Sequence, residues 1–260
     1  MIDGLCDTFA MLKALLSRRT FGAGLAATGL ILPFAPARAE TVKSGSELKV
    51  IELFTSEGCW SCPPAEAKLR EVADDPDILA LAYHVDYWDY IGWKDPYADP
   101  AFTQRQRTYA LHLRSRTVYT PQMVFQGAFH APGSRPGEMR RELGRVDQME
   151  RITVGLERPR RHELVVSLPA HENAPTSTVL LVTYDRERTT DVLRGENAGK
   201  RLTHRNVVTS LSEIGTWRGQ AADLNVTIAE ERALPDTGCA ILVQSDSGRI
   251  IGAAAIDMRS

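Results

Sequence analysis

Two cysteines three residues apart, Cys59 and Cys62, are the first feature of this sequence that could do chemistry. They follow the apolar run Lys49 to Phe54 and precede Pro63 and Pro64, which can open a helix because proline loses no hydrogen bond in a first turn. At such a junction the helix dipole favours the Cys59 thiolate, which attacks disulfides, and Cys62 would be the resolving thiol. An inert disulfide and half of a zinc site are the alternatives, although zinc usually draws on a second Cys or His pair at comparable spacing, and the sequence has none.

The elements that must position this pair alternate between strand and helix as far as about residue 147. A second strand is predicted from Ile78 to Val85, a hairpin around Gly127 and a closing helix through Met139 and Val146. The predicted order is β-α-β-α-β-β-α, with a parallel first half. From Arg151 onward, short apolar or alternating runs between turn residues predict an all-β, sandwich-like domain. We therefore expect two domains, 40–150 and 151–260.

This order of elements, with Thr120 and Pro121 leading the hairpin, resembles the thioredoxin fold. Three stretches carry a more specific resemblance: residues 50–64, residues 84–96, and residues 195–200 with His204 and Asn206. Together they are similar to the secreted thioredoxin-like family catalogued as domain of unknown function 1223. The resemblance covers essentially the whole chain after the N-terminal segment. It implies an α/β thioredoxin-like domain around the C-x-x-C, but no substrate.

The resemblance also implies a substrate groove beside the cysteines. Thioredoxin-like proteins place a cis-proline opposite the active disulfide, and Pro121 matches it, so that the backbone of Thr120 could pair with a bound peptide. We expect Trp60, Trp88 and Trp93 to contribute aromatic surface to the same groove, since charged residues alternate with aromatic ones from residue 83 to 97. An inserted loop that packs against the β domain is the alternative reading of that stretch.

Two departures from the thioredoxin pattern affect the expected chemistry. Leu53 stands where thioredoxin has a buried aspartate that helps to move protons, so proton transfer must come from elsewhere, with Glu57, His84 and Asp86 as candidates. No cation lies between the cysteines, and Pro63 removes one of the nearby N–H donors, as does its neighbour Pro64. We therefore expect an intermediate reduction potential rather than an extreme one.

The N-terminus predicts export. Ser17 to Phe21 resembles the start of a twin-arginine signal, an apolar run shorter than the ~20 residues of a membrane span follows, and Ala37 to Ala39 fits the small-x-small cleavage rule. We expect a signal peptide at residues 1–39 with cleavage after Ala39, a periplasmic location and no membrane span in the mature chain. In an oxidising compartment, thiols end up disulfide-bonded, metal-bound or buried. We expect Cys239, which precedes an apolar run, to be a buried inert thiol.

Composition sets the class of function. The chain of 260 residues is 43% hydrophobic and 25% charged, which excludes a disordered protein. With 31 basic against 33 acidic side chains it lacks the basic surplus of nucleic-acid binders. We predict a thiol–disulfide oxidoreductase that acts on protein or small-molecule thiols, with an unknown redox partner and with neither a cofactor nor a bound metal. The alternatives are a Cu(I) carrier that adds His84, His112 or His130 to the cysteines, and a non-enzymatic binding module with a structural disulfide.

Overall fold

The computed structural model describes residues 40–41, 48–135 and 137–258. The predicted signal peptide, residues 1–39, lies outside this part of the chain and stays a prediction. Within the described residues, no helix combines the length and the apolar character that crossing a membrane requires.

The first half of the chain alternates strands and helices in the predicted order. A short strand β1 (Glu40–Thr41) precedes β2 (Lys49–Thr55), α1 (Pro63–Val72), β3 (Ile78–His84), a 3-10 helix (Asp89–Ile91), α2 (Pro100–His112), β4 (Gln122–Phe125), β5 (Phe129–Pro132) and α3 (Glu138–Val146). Helix α1 begins at Pro63, as predicted. Helix α2 is capped by Asp99, whose carboxylate accepts a hydrogen bond from the backbone N–H of Ala101 at 2.7 Å.

The second half is built of strands, as its alternating pattern predicts. They are β6 (Gly155–Arg160), β7 (Glu163–Leu168), β8 (Ser177–Asp191), β9 (Arg201–Trp217), β10 (Ala222–Thr227), β11 (Thr237–Ser245) and β12 (Ile250–Asp257), with a 3-10 helix at Glu230–Arg232. Strands β8 and β9 have 15 and 17 residues and pair along an antiparallel ribbon from Ser177 to Asp191. The apolar run of β8 ends at Tyr184, and the apolar run of β9 begins at Leu202. A search for apolar runs therefore does not detect the polar end of the ribbon between them.

Strands from both halves of the chain share one mixed sheet of eight, in the order β12-β11-β8-β9-β3-β2-β4-β5. The halves join where β3 pairs in parallel with β9, at Ala82 and Val207. The Gln126 side chain adds a second link, because it accepts a hydrogen bond from the Val50 N–H at 3.0 Å and donates one to the Ile250 carbonyl at 2.9 Å.

The predicted fold class, an α/β thioredoxin-like domain followed by a separate all-β domain, is therefore wrong. The described chain is mostly β, and its large mixed sheet takes strands from both halves. The physical reason is the edge of β3. Without β9 that strand would expose unpaired N–H and C=O groups, and pairing with β9 satisfies them.

Three apolar cores hold the layers together. A four-stranded sheet, β1-β6-β7-β10, packs through Leu156 and Val166 against Leu181 and Ile241 of the large sheet. Helices α1 and α3 cover one face of β2, β3 and β4, and α2 contributes to the core on the opposite face. The loop between β2 and α1 is thereby held by packed elements on both sides.

A buried ion pair crosses from α2 to the sheet. Arg105 Nε donates to Glu52 Oε1 at 2.7 Å, and the Tyr109 hydroxyl donates a short hydrogen bond to the second oxygen of Glu52. The Arg105 guanidinium also donates to the Tyr109 hydroxyl at 3.0 Å and to Gln244 Oε1 on β11 at 3.1 Å. Strand alternation predicts that Glu52 faces away from Leu53, and it does, since Leu53 packs in the core that includes α1.

Candidate functional site

The loop between β2 and α1 contains a disulfide. Cys59 and Cys62 are bonded, with their Cα atoms 5.4 Å apart, which confirms that the pair can close a small loop. Cys62 is the N-cap residue of α1, and its carbonyl accepts the backbone N–H groups of Ala65 and Glu66 at 2.9 and 3.2 Å. The Cys62 N–H in turn donates to the Cys59 carbonyl at 3.2 Å. The disulfide is thus built directly onto the first turn of the helix.

Both sulfur-bearing residues are buried. Cys59 is 1% exposed and Cys62 is 0% exposed, whereas Trp60 between them is 66% exposed. Cys59 is therefore shielded from solvent in the disulfide form. The turn between β8 and β9 supplies part of the reason: Asn197 Nδ2 donates to the carbonyls of Glu57 at 2.7 Å and of Cys59 at 3.0 Å.

The tryptophans predicted to bind substrate surround this loop. Trp88 lies against Gly58, where an added Cβ would be 3.1 Å from the Trp88 Cβ, and its indole N–H donates to Thr120 Oγ1 at 2.7 Å. Thr120 precedes Pro121 through a cis peptide bond, as the family resemblance implies. Trp93 lies on another side of the loop and donates its indole N–H to Glu57 Oε2 at 2.8 Å. The structure thus brings the predicted groove residues to one place.

A carboxylate–imidazole cluster is buried directly behind the loop. His204, on β9, contacts Glu57 Oε1 through Nε2 at 3.0 Å and makes a short contact to Glu66 Oε2 through Nδ1. Glu66 Oε1 accepts the Thr55 hydroxyl at 2.6 Å. Although burial alone lowers the pKa of His204, the carboxylates of Glu66 and Glu57 raise it to about 10. For Glu66 the signs are reversed: burial raises the pKa of the carboxyl, but His204 outweighs burial and lowers it overall.

His84 and Asp95 extend this cluster. His84 Nδ1 lies 2.7 Å from Asp95 Oδ2, which also accepts the backbone N–H of Glu57 at 2.8 Å. Burial raises the pKa of Asp95, but His84 and these hydrogen bonds lower it overall, so the carboxylate is ionised and accepts. The His84 and His204 rings are 4.8 Å apart, centroid to centroid, and the Tyr97 ring packs edge-on against both.

Two of the three residues predicted as a proton relay, Glu57 and His84, belong to this cluster. The third, Asp86, instead accepts a hydrogen bond from the Thr103 hydroxyl on α2 at 2.5 Å. A relay role for Glu57 and His84 stays a prediction.

Sequence reasoning missed the roles of Glu66, His204 and Asn197. The last two stand in the motif that carries the family resemblance, but no role followed from that. A signal for Glu66 was available, because it lies next to Ala65 and one turn before Leu69 on the buried side of α1.

The other histidines and the third described cysteine lie outside the site. His130 Nδ1 pairs with the Tyr119 hydroxyl at 2.8 Å, and His112 packs against Gly248. Among the described residues, Glu66, His84 and His204 have ligand atoms close enough together to hold a metal ion. This group contains neither cysteine of the disulfide, so it does not support a Cu(I) site built on that pair. Cys239 is a free buried thiol, as predicted, and burial raises its pKa to about 12.

In the described residues, fold and site together define a mostly β protein with a C-x-x-C disulfide at the start of α1. Residues 50–244 match the model of the family described as "Protein of unknown function (DUF1223)", and the chain belongs to that family. The membership in domain of unknown function 1223 that the sequence motifs imply is thereby confirmed, whereas secretion stays a prediction.

Two solved structures are similar in fold to this chain. The crystal structure of protein AGR_C_4864 from Agrobacterium tumefaciens is 31% identical, with a TM-score of 0.70 over 81% of this chain and 94% of that one. HBP35 of Porphyromonas gingivalis is 13% identical, with a TM-score of 0.56 over 82% of this chain and 76% of that one, a likeness that shows the fold alone. No curated protein sequence matches the chain.

Proposed function

We propose that this chain is an exported thiol–disulfide oxidoreductase that acts on protein or small-molecule thiols through Cys59 and Cys62. The observation that carries the proposal is the disulfide on the first turn of α1, with the exposed Trp60 between its two cysteines. A helix N-terminus stabilises a thiolate, and a thiolate is the attacking species in disulfide exchange. The periplasmic location rests on the predicted signal peptide and suits a chain in which Cys59 and Cys62 form a disulfide.

In the reducing direction, the Cys59 thiolate attacks one sulfur of a substrate disulfide. The substrate S–S bond breaks, a mixed disulfide forms, and the departing thiolate takes up a proton. Cys62 then loses its proton and attacks the Cys59 sulfur, which re-forms the internal disulfide and releases the second substrate thiol. Two electrons pass to the substrate, and a dithiol partner must restore them. The reverse sequence oxidises a substrate dithiol.

We expect the Cys59–Cys62 couple to have a reduction potential between about −270 and about −120 mV, the range of thiol–disulfide enzymes. The helix start favours the thiolate, but no cation lies between the cysteines, and Pro63 and Pro64 donate no N–H groups. The measurement is equilibration in glutathione buffers of graded ratio, followed by alkylation and mass spectrometry of the peptide that carries both cysteines. Because the oxidation state is measured on this peptide alone, the free thiol of Cys239 does not affect the result.

A second candidate function is a binding module with a structural disulfide. The burial of both cysteines and the Asn197 hydrogen bonds favour it. The same glutathione titration separates the two, because structural disulfides have potentials below about −300 mV. A value in that range would contradict the oxidoreductase.

We expect Trp60→Ala to slow exchange with an oxidised protein substrate by about tenfold, equivalent to about 1.4 kcal/mol, because exposed aromatic side chains anchor protein partners. Exchange with a small aromatic disulfide should change less than about twofold, since such a reagent needs no docking surface. Single-turnover rates of the two substrates give the comparison. The matched control is Leu111→Ala, which removes an exposed apolar side chain from the end of α2. Equal slowing of both substrates by Trp60→Ala would contradict a docking role.

A further inference from the structure

One nitrogen of the buried cluster has no hydrogen-bond partner among the described residues. His84 is fully buried, and its Nε2 atom makes no hydrogen bond to any described residue. Its Nδ1 atom lies 2.7 Å from Asp95 Oδ2, so Nε2 is the ring nitrogen that is left for a ligand. A buried polar atom without a hydrogen-bond partner is destabilising, so its retention calls for an explanation.

We propose that Glu66, His84 and His204 bind a divalent transition-metal ion, with Zn²⁺ as the best match. One ligand atom from each residue lies within 4.8 Å of the others, which is close enough for the three residues to hold one ion. Two histidines and one glutamate form a known zinc ligand set that leaves a fourth position open. Neither cysteine takes part, so the inference stands apart from the proposed redox function.

Each proposed ligand already has the outer partner that a metal ligand needs. Metal-bound histidines donate their second N–H to a carboxylate or carbonyl, which fixes the ring and its tautomer. Asp95 takes this place for His84, and Glu57 takes it for His204, at 3.0 Å from Nε2. That assignment leaves His204 Nδ1, which faces Glu66, and His84 Nε2 for the ion.

The charge of the cluster points the same way. Glu57, Glu66 and Asp95 are three buried carboxylates, and among the described residues their hydrogen bonds and ion pairs involve no lysine or arginine side chain. Buried carboxylates are costly unless they are paired or bind a metal. A dication bound between His204 and Glu66 offsets two of these negative charges.

The test uses the full chain with its disulfide intact, so that Cys59 and Cys62 cannot bind metal as thiolates. After treatment with a chelator and its removal, the protein is titrated with Zn²⁺ by calorimetry, and bound zinc is counted by elemental analysis. We expect one Zn²⁺ per chain, and an affinity lowered at least about a hundredfold in His84→Ala. The control His130→Ala removes a histidine outside the cluster and should bind zinc like the parent.

A milder variant covers the case in which His84→Ala does not fold. Asp95→Asn keeps the shape but weakens the hold on His84 Nδ1, and we expect it to lower zinc affinity about 10- to 100-fold. Far-UV circular dichroism establishes that each variant is folded before titration. Absence of zinc binding by the parent, or equal binding by the parent and the folded cluster variants, would overturn the proposal. A Cys59→Ser/Cys62→Ser double variant should still bind zinc, which separates this result from the fate of the redox function.

Discussion

Cys62→Ser is expected to accumulate disulfide-linked adducts with partners in the exporting cell, at least about tenfold more than Cys59→Ser. Exchange passes through a mixed disulfide that the second thiol must resolve, and serine cannot do so. Cys59 adjoins the exposed Trp60, whereas the fully buried Cys62 caps α1 and is followed by two prolines. Non-reducing electrophoresis detects the adducts, and mass spectrometry identifies which cysteine carries them.

Cys59→Ser is the internal control for this experiment, because it keeps one thiol in the same loop. Alkylation of the reduced parent protein should also modify Cys59 before Cys62. Equal trapping by the two variants would show that Cys59 is not the specific nucleophile. If neither variant traps a partner and the parent disulfide resists dithiothreitol, the binding-module function takes its place.

Arg105→Met is expected to lower the free energy of unfolding by about 3–5 kcal/mol. The variant leaves Glu52 fully buried without its cationic partner, and it also removes hydrogen bonds to Tyr109 and Gln244. Breaking one side of a buried ion pair costs far more than the pair contributes, because the remaining charge stays desolvated. Urea unfolding of the disulfide form, followed by circular dichroism, measures the loss.

A matched control is Arg188→Met, which removes the partner of Asp185. That pair has the same Nε–O distance of 2.7 Å, but the Arg188 side chain is 48% exposed. We expect a loss of no more than about 1 kcal/mol there. In the background of Glu52→Leu, Arg105→Met should cost much less than it does alone, since no charge is then left unpaired. Similar losses for Arg105→Met and Arg188→Met would contradict the role assigned to burial.

Local pattern predicted the elements well because it is a property of each segment. The apolar run before Cys59 is a strand, Pro63 begins a helix, and the turn at Gly127 joins a hairpin. The same logic located the disulfide, since a C-x-x-C at a strand–helix junction requires only neighbouring residues. Periodicity does not show which strand pairs with the free edge of another. It therefore could not predict that β3 and β9 pair at Ala82 and Val207.

The charged cluster was out of reach for a related reason. Two of its contacts join Glu66 to His204 across 138 residues and Glu57 to His204 across 147. In the sequence, His204 stands between Thr203 and Arg205 in the run that begins at Leu202, and nothing local identifies the carboxylates that it contacts. Its burial follows from the pairing of β9 beside β3, so the error in the fold class and the omission of His204 have one cause.

The Asn197 amide holds the carbonyls on either side of Gly58 from a turn 138 residues away from Cys59. If attack on Cys59 requires this turn to move away, the observed rate is the intrinsic rate multiplied by the fraction of open molecules. Two hydrogen bonds at about 1 kcal/mol each make the open form about 30-fold rarer. A partner that binds the open form of the turn between β8 and β9 would raise the fraction of open molecules and so recover the roughly 30-fold loss in rate. Selectivity would then reside in a gate on the β ribbon, and not in the reactivity of the sulfur.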